Sequence, residues 1–231
     1  MLFRNKLITF ALFFHHTIMI KGIITGDLVN STNIAAEHKQ TVIDSLNAVV
    51  KDFSQKTSMK FEMFRGDSFQ VVVESAQLSI AIAIALRAKL KASTPEKLDG
   101  WDARVSVGIG QMSYESDNIV TSDGEAFRLS GRAFDNLGKK RLAFATPCSE
   151  LNELTELNTR FADDIVSALT VRQARVVYHS LLCPDKTQKE MAEELNMSRQ
   201  NFNNVWSSAK GQLILDYTEF IKSQITKYIG Q

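Results

Sequence analysis

Two cysteines in 231 residues, Cys148 and Cys183, are too few for a disulfide framework. They suit a reducing cytoplasm, and Cys183, just ahead of Pro184, reads as a structural residue at a helix end. Three prolines and eleven glycines exclude a collagen-like chain or a Pro/Gly-rich disordered one. Charge of either sign is not in excess: 27 basic and 26 acidic side chains leave a net +1. That removes any whole-chain electrostatic case for nucleic acid or membrane. No glycine-rich phosphate loop, catalytic triad or zinc spacing is present. What remains is an ordinary globular composition, 44% hydrophobic and 23% charged, in a chain long enough for one large domain or two small ones.

Long apolar runs are missing too. Arg4 and Lys6 precede a short one, Leu7 to Phe14, well under the ~20 residues of a membrane span. No small-residue cleavage signal follows it, and His15, His16 and Thr17 lead directly into strand-like sequence. We expect residues 1–18 to be a non-native extension, translation to start at Met19, and the protein to work in the cytoplasm without a membrane partner.

From Ile20 the pattern is legible. Ile20 to Thr25 is a β-branched run ending at Gly26-Asp27, as in a buried strand. Ser31 or Thr32 is placed to cap a helix whose apolar residues run from Ile34 to Phe53. Met59 to Phe64 and Phe69 to Val73 flank Arg65-Gly66-Asp67-Ser68, a hairpin signal. A second helix covers 77–91, a strand 103–109, a third helix 125–137 and a short strand 141–145. The order suits one antiparallel or mixed sheet with helices on one face, an α+β domain over 19–146. After Pro147 only helical patterns follow, so 147–231 reads as an all-α unit.

Asp27 ends the first strand and Asp67 sits in the hairpin turn, each directly after a glycine. Neighbouring strands would bring both carboxylates to one end of the sheet. Two acids there repel unless protonated or bridged by a cation, and hard oxygen donors suit Mg²⁺ or Mn²⁺. The plainer alternative is that each is a turn residue, since aspartate favours turns on its own account.

Four blocks in order carry a resemblance: Thr25-Gly26-Asp27-Leu28-Val29-Asn30-Ser31-Thr32, Arg65-Gly66-Asp67-Ser68-Phe69, the strand Arg104 to Gly110, and Gly124 to Arg132. Together they resemble the motifs of class III nucleotide cyclases. That resemblance implies a ferredoxin-like, cyclase-like β-α-β-β-α-β sheet, metal-ligand roles for Asp27 and Asp67, and phosphate-facing roles for Arg128 and Arg132. It also implies a homodimer, in which the aspartates of one chain face the helix arginine of the other. The departures fall on the substrate side. The family's transition-state asparagine falls on Arg128, and its two base-selecting positions fall on Met63 and Thr121. A methionine cannot hydrogen-bond a purine strongly. From Met19 onward the chain resembles the SatD family, which pairs a cyclase-like part with a helical DNA-binding part.

Within the helical unit, Thr187 and Glu190 form a capping-box pattern ahead of 188–195. Ala192 is small where two helices would cross, Asn196 tolerates a left-handed turn, and Ser198 can cap the next helix. Phe202 and Val205 would turn that helix's inner face to the core. These are the requirements of a helix-turn-helix. Arg199, Gln200, Asn201, Asn203 and Asn204 would then be exposed to DNA bases. Residues 195–215 contain no acid, although 147–231 as a whole carries net −2. A helical hairpin used for dimerisation is the competing account. The expected protein is thus a DNA-binding transcriptional regulator. Its degenerate cyclase-like domain would sense a metal or nucleotide, or dimerise. The alternative is an active metal-dependent cyclase or nucleotidyl-transfer enzyme with an accessory helical domain.

Overall fold

A computed structural model describes residues 19–96, 98, 100–114, 119 and 122–230. The N-terminal stretch 1–18 and Thr121 lie outside the described residues.

Strand β1 (Ile20–Leu28) leads through a single 3-10 turn at Ser31–Asn33 into helix α1 (Ala36–Phe53). The hairpin β2 (Met59–Phe64) and β3 (Ser68–Val73) turns on Arg65 and Gly66, both at positive φ (55° and 81°). Gly66 meets that demand at no steric cost. Helix α2 (Ser79–Ala92) and strand β4 (Ala103–Tyr114) complete a β-α-β-β-α-β core. Its strand order is β2-β3-β1-β4, with every neighbouring pair antiparallel. A two-residue strand β5 (Asp123–Gly124) pairs with the far half of β4. Helix α3 (Glu125–Asp135) then returns the chain to β6 (Leu142–Ala145), parallel to the near half of β4.

Two expectations are corrected. Ser31 and Thr32 do not cap α1, which starts at Ala36 with no side-chain cap. The Ser31 hydroxyl instead donates to the Asp67 carboxylate at 2.9 Å, across to the hairpin turn. Nor do the helices lie on one face. Ile24 and Leu28 pack with Val42 and Leu46 of α1 and with the side chains of α2, while Ile23 packs with Ala126 of α3 on the other side. Small residues on β4 admit α3. A Cβ on Gly108 would lie 2.3 Å from the Ala126 carbonyl oxygen and 2.5 Å from the Ser130 nitrogen. The Ser106 hydroxyl donates to the Ser130 carbonyl at 2.7 Å.

The helical part comprises α4 (Ser149–Ser167), α5 (Val171–Leu182), α6 (Gln188–Glu194), α7 (Arg199–Ser208) and α8 (Gly211–Ile229). Thr170 and Thr187 each close a capping box, with Gln173 and Glu190. Helix α2 is apolar nearly all round because it is covered twice: by the sheet, and by Ala174, Val176, Val177 and Leu181 of α5. The apolar core therefore runs without interruption from the sheet into the helices.

An ionic cluster crosses the same boundary. The fully buried Arg87 guanidinium of α2 donates from Nε and Nη2 to Asp102, each at 2.9 Å, and from Nη1 to Asp163 of α4 at 2.7 Å. Lys91 and Arg141 also face Asp102, at 3.3 and 2.8 Å. Among the described residues, no helix is long and apolar enough to cross a membrane.

Candidate functional site

The ends of β1 and of the β2–β3 hairpin meet. Asp27 stands opposite Ser68 on one side and Arg104 on the other, and the Leu28 amide donates to the Asp67 carbonyl at 3.0 Å. The backbones of both aspartates are thus adjacent, as the topology demands. Their carboxylates have different partners. Asp27 points to the α3 side, where Arg104 grips it in a two-point fork: Nε to Oδ1 at 3.0 Å and Nη2 to Oδ2 at 2.6 Å. That contact holds the Arg104 guanidinium above its ordinary pKa. Arg104 also lies over the Phe134 ring of α3, 5.1 Å from its centroid. Asp67 accepts from the hydroxyls of Ser31 and, more distantly, Ser68 at 3.4 Å.

Asp67 borders a cavity of about 320 Å³ on the α1 side. Its polar rim is Ser31, Thr32, Lys39, Arg65 and Asp67; Leu28, Ile34, Val42, Ile43 and Met63 form the apolar wall. Two cations and two hydroxyls around a single carboxylate suit an anionic group, and the apolar wall suits a flat ring. The oxygens of Asp27, Asp67 and Ser31 are hard donors of the kind Mg²⁺ and Mn²⁺ take. A carboxylate offers roughly four lone-pair sites, so the two that Arg104 occupies leave Asp27 able to serve a cation. The donor set fits such an ion in kind.

Arg128 and Arg132 stand one turn apart on the exposed side of α3. Arg128 donates to the Asp123 carboxylate at 3.0 Å, with both side chains largely in solvent. Met63 lines the same cavity as Asp67, where the cyclase resemblance expects a lysine.

Helices α6 and α7 are joined through Leu195–Ser198. Asn196 is left-handed at φ 54°, and the Met197 amide donates back to Ala192 at 2.9 Å. The Ser198 hydroxyl accepts from the Asn201 amide. Phe202, Val205 and Trp206 are buried. Arg199, Gln200 and Asn204 are exposed, whereas Asn201 and Asn203 are half-buried. The Asn203 Oδ1 is sealed from solvent. The exposed face of α7 is narrower than its sequence implied.

Sequence reasoning passed over Arg104, Lys39 and Arg65 as site residues. Arg65 carried a local signal, its place in the turn beside Asp67. Arg104 stood only at the head of the resembling strand Arg104 to Gly110, with nothing to mark it for the site, because its partner lies 77 residues away and meets it only through strand register.

No family model and no curated protein matches the sequence. The SatD resemblance therefore stands on its motifs alone. Among solved structures, the chain is similar to a bacterial light-regulated adenylyl cyclase at 15% identity and TM-score 0.39, covering 55% of this chain and 43% of that one. It thus spans less than half of that cyclase. It is also similar to the guanylyl cyclase Cya2, at 13% identity and TM-score 0.36, covering 50% of this chain and 69% of that one. A third is the GGEEF domain of a diguanylate cyclase from Vibrio cholerae, at 13% identity and TM-score 0.36, covering 63% and 88%. At such identities and TM-scores the likeness carries no argument about fold or activity.

Proposed function

We propose that the sheet domain binds a nucleoside triphosphate together with a divalent cation, in a cyclase-like site built for nucleotidyl transfer. The observation that carries this is the cavity beside Asp67, with Ser31, Thr32, Lys39 and Arg65 on its rim and an apolar wall behind. The cation would lie between Asp27 and Asp67 once the Asp27 carboxylate, turned to the α3 side and held by Arg104 in this structure, has swung toward the hairpin turn. Arg104, released from Asp27, would turn its two-point fork to a phosphate oxygen, a partner guanidinium favours at least as strongly. Arg128 and Arg132 would face the phosphates across a two-fold dimer. Met63 leaves the base loosely specified, and Arg128 replaces a neutral amide with a larger cation, so turnover should be slow.

The full chain should be incubated with Mn²⁺ and each nucleoside triphosphate in turn. Thermal stability should rise further when both are present than with either alone, by mass action. Asp67→Asn should abolish the rise. Product masses separate binding alone from cyclisation or transfer. No stabilisation by any triphosphate at millimolar concentration would remove the proposal.

A second role, sequence-directed DNA binding, is supported by a different observation. The capped N-terminus of α7 exposes Arg199, Gln200 and Asn204, within a stretch that lacks acids from 195 to 215. Selection of sites from random DNA with the full chain tests it. Arg199→Ala should relax preference at one base, at ~1–3 kcal/mol, if the contact is to a guanine edge. A phosphate contact would instead weaken all sequences alike. No enrichment, with retention unchanged by Arg199→Ala, would leave α6 and α7 as a packing element.

A further inference from the structure

The corner between α5 and α6 gathers three side chains that neither role above uses. His179 lies on the last turn of α5, Cys183 caps it one turn later, and Glu194 is the last residue of α6. One ligand-type atom from each lies within 4.8 Å of the other two. The His179 Nε2 is 2.7 Å from Glu194 Oε2, and His179 and Cys183 are both half-buried. We propose that His179, Cys183 and Glu194 form a binding site for a transition-metal ion of the zinc class, bracing the C-terminal ends of α5 and α6.

Three features favour a cation there. Both helices direct the negative ends of their dipoles at the spot, where positive charge is stabilised. A cation already occupies it: the Lys186 ammonium contacts the Glu194 carboxylate. The spacing is close to what is needed. Zinc holds N, O and S donors at ~2.0–2.3 Å, so tetrahedral ligands stand roughly 3.3–3.8 Å apart. Opening the His179–Glu194 contact slightly while Cys183 closes in would meet it, and Glu194, exposed, is free to rotate. Three protein ligands leave one position for water. A thiolate and an imidazole select zinc, cobalt or nickel over Mg²⁺, so this site and the hard-oxygen site at Asp27 and Asp67 take different metals. Its occupant would set how firmly α6 is held to α5, just ahead of the Leu195–Ser198 turn that carries α7.

The test is titration of the reduced full chain with Co²⁺, followed by absorption. A thiolate-to-cobalt charge-transfer band should grow and saturate at one equivalent, and Zn²⁺ should displace it. Cobalt at Asp27 and Asp67 would produce no such band. Cys183→Ser should abolish it and His179→Ala should weaken binding at least tenfold, whereas Cys148→Ser should leave it intact. Lys186→Met keeps an aliphatic stem at an exposed position and removes only the ammonium and its contact to Glu194. It should tighten metal binding severalfold, because the competing ammonium is gone. A mere surface ion-pair network would show no metal binding in Lys186→Met. Absence of the band in both the wild type and Lys186→Met, or its survival in Cys183→Ser, would overturn the assignment.

Discussion

Replacing Arg87 with methionine tests how the sheet and the helices are joined. The guanidinium is 0% exposed and makes four side-chain hydrogen bonds: two to Asp102, one to Asp163 and one to the Ser167 hydroxyl at 2.8 Å. Methionine keeps much of the stem's volume and removes the charge. Asp102 would retain Lys91 and Arg141, but Asp163 would retain chiefly the Arg141 amide at 2.8 Å. Breaking a buried pair by removing one partner costs ~3–5 kcal/mol, because the other charge stays buried. For a chain of this size that corresponds to a fall in Tm of about 6–20 °C.

The loss carries a pH signature. Burial alone would raise Asp102, yet Arg87, with Lys91 and Arg141, holds it below the ordinary carboxylate range. A depressed folded pKa contributes stability that is complete above the unfolded value of ~3.9 and disappears as pH falls through the folded value. In the variant the Asp102 carboxylate, having lost its foremost partner, is easier to protonate. The gap between wild type and Arg87→Met should therefore be widest near neutrality and narrow below about pH 4. Urea unfolding of both proteins across that range measures it. A loss under ~1 kcal/mol, the scale of an exposed ion pair, would refute the reasoning, as would a deficit that does not change with pH.

Arg104→Ala should change stability by no more than ~1 kcal/mol, since the pair with Asp27 is partly in solvent, and should tighten Mn²⁺ binding by freeing the carboxylate; weaker Mn²⁺ binding in calorimetry would count against Asp27 as a ligand. Gly108→Ala should destabilise by ~1–3 kcal/mol because its Cβ would strike the α3 backbone, whereas Gly131→Ala, with open space around it, should stabilise by up to ~1 kcal/mol. Equal denaturation midpoints for the two variants would contradict the close approach of β4 and α3. Burial pushes the Tyr178 and Tyr217 phenols well above the ordinary value, helped at Tyr178 by the Asp52 carboxylate that accepts its hydroxyl at 2.5 Å. Both should stay silent in an ultraviolet titration until alkaline unfolding. Because a raised phenol keeps its proton in the folded state, stability should fall as pH rises above ~10; smooth ionisation of all four tyrosines in the folded protein would be inconsistent with that burial.

The local alternation of apolar residues and the turn signals were enough to lay out the β-α-β-β-α-β order. They also placed Asp27 at a strand end, Asp67 in a hairpin turn, the capping box of Thr187 and Glu190, and the Ser198 cap. These depend on backbone preferences and hydrogen bonds spanning a few residues, so a short window contains all their causes. What a window cannot contain is a partner from elsewhere in the chain. The Ser31 hydroxyl leaves its expected cap for Asp67, and Arg104 takes Asp27, because register sets those strands side by side. Helix α3 occupies the second face because Gly108 leaves room for its backbone, and α2 is buried on both sides because α5 lies over it. Asn203 is withdrawn from the exposed face of α7, and Arg87 finds Asp163 across 76 residues. Cys183 looked inert in the sequence; only the fold of α6 against α5 brings Glu194 to it and His179. The sequence by itself determined the elements and their order, since those follow from short-range forces. Which side chains meet was decided by the tertiary structure, where packing and register join residues that have no local reason to be together.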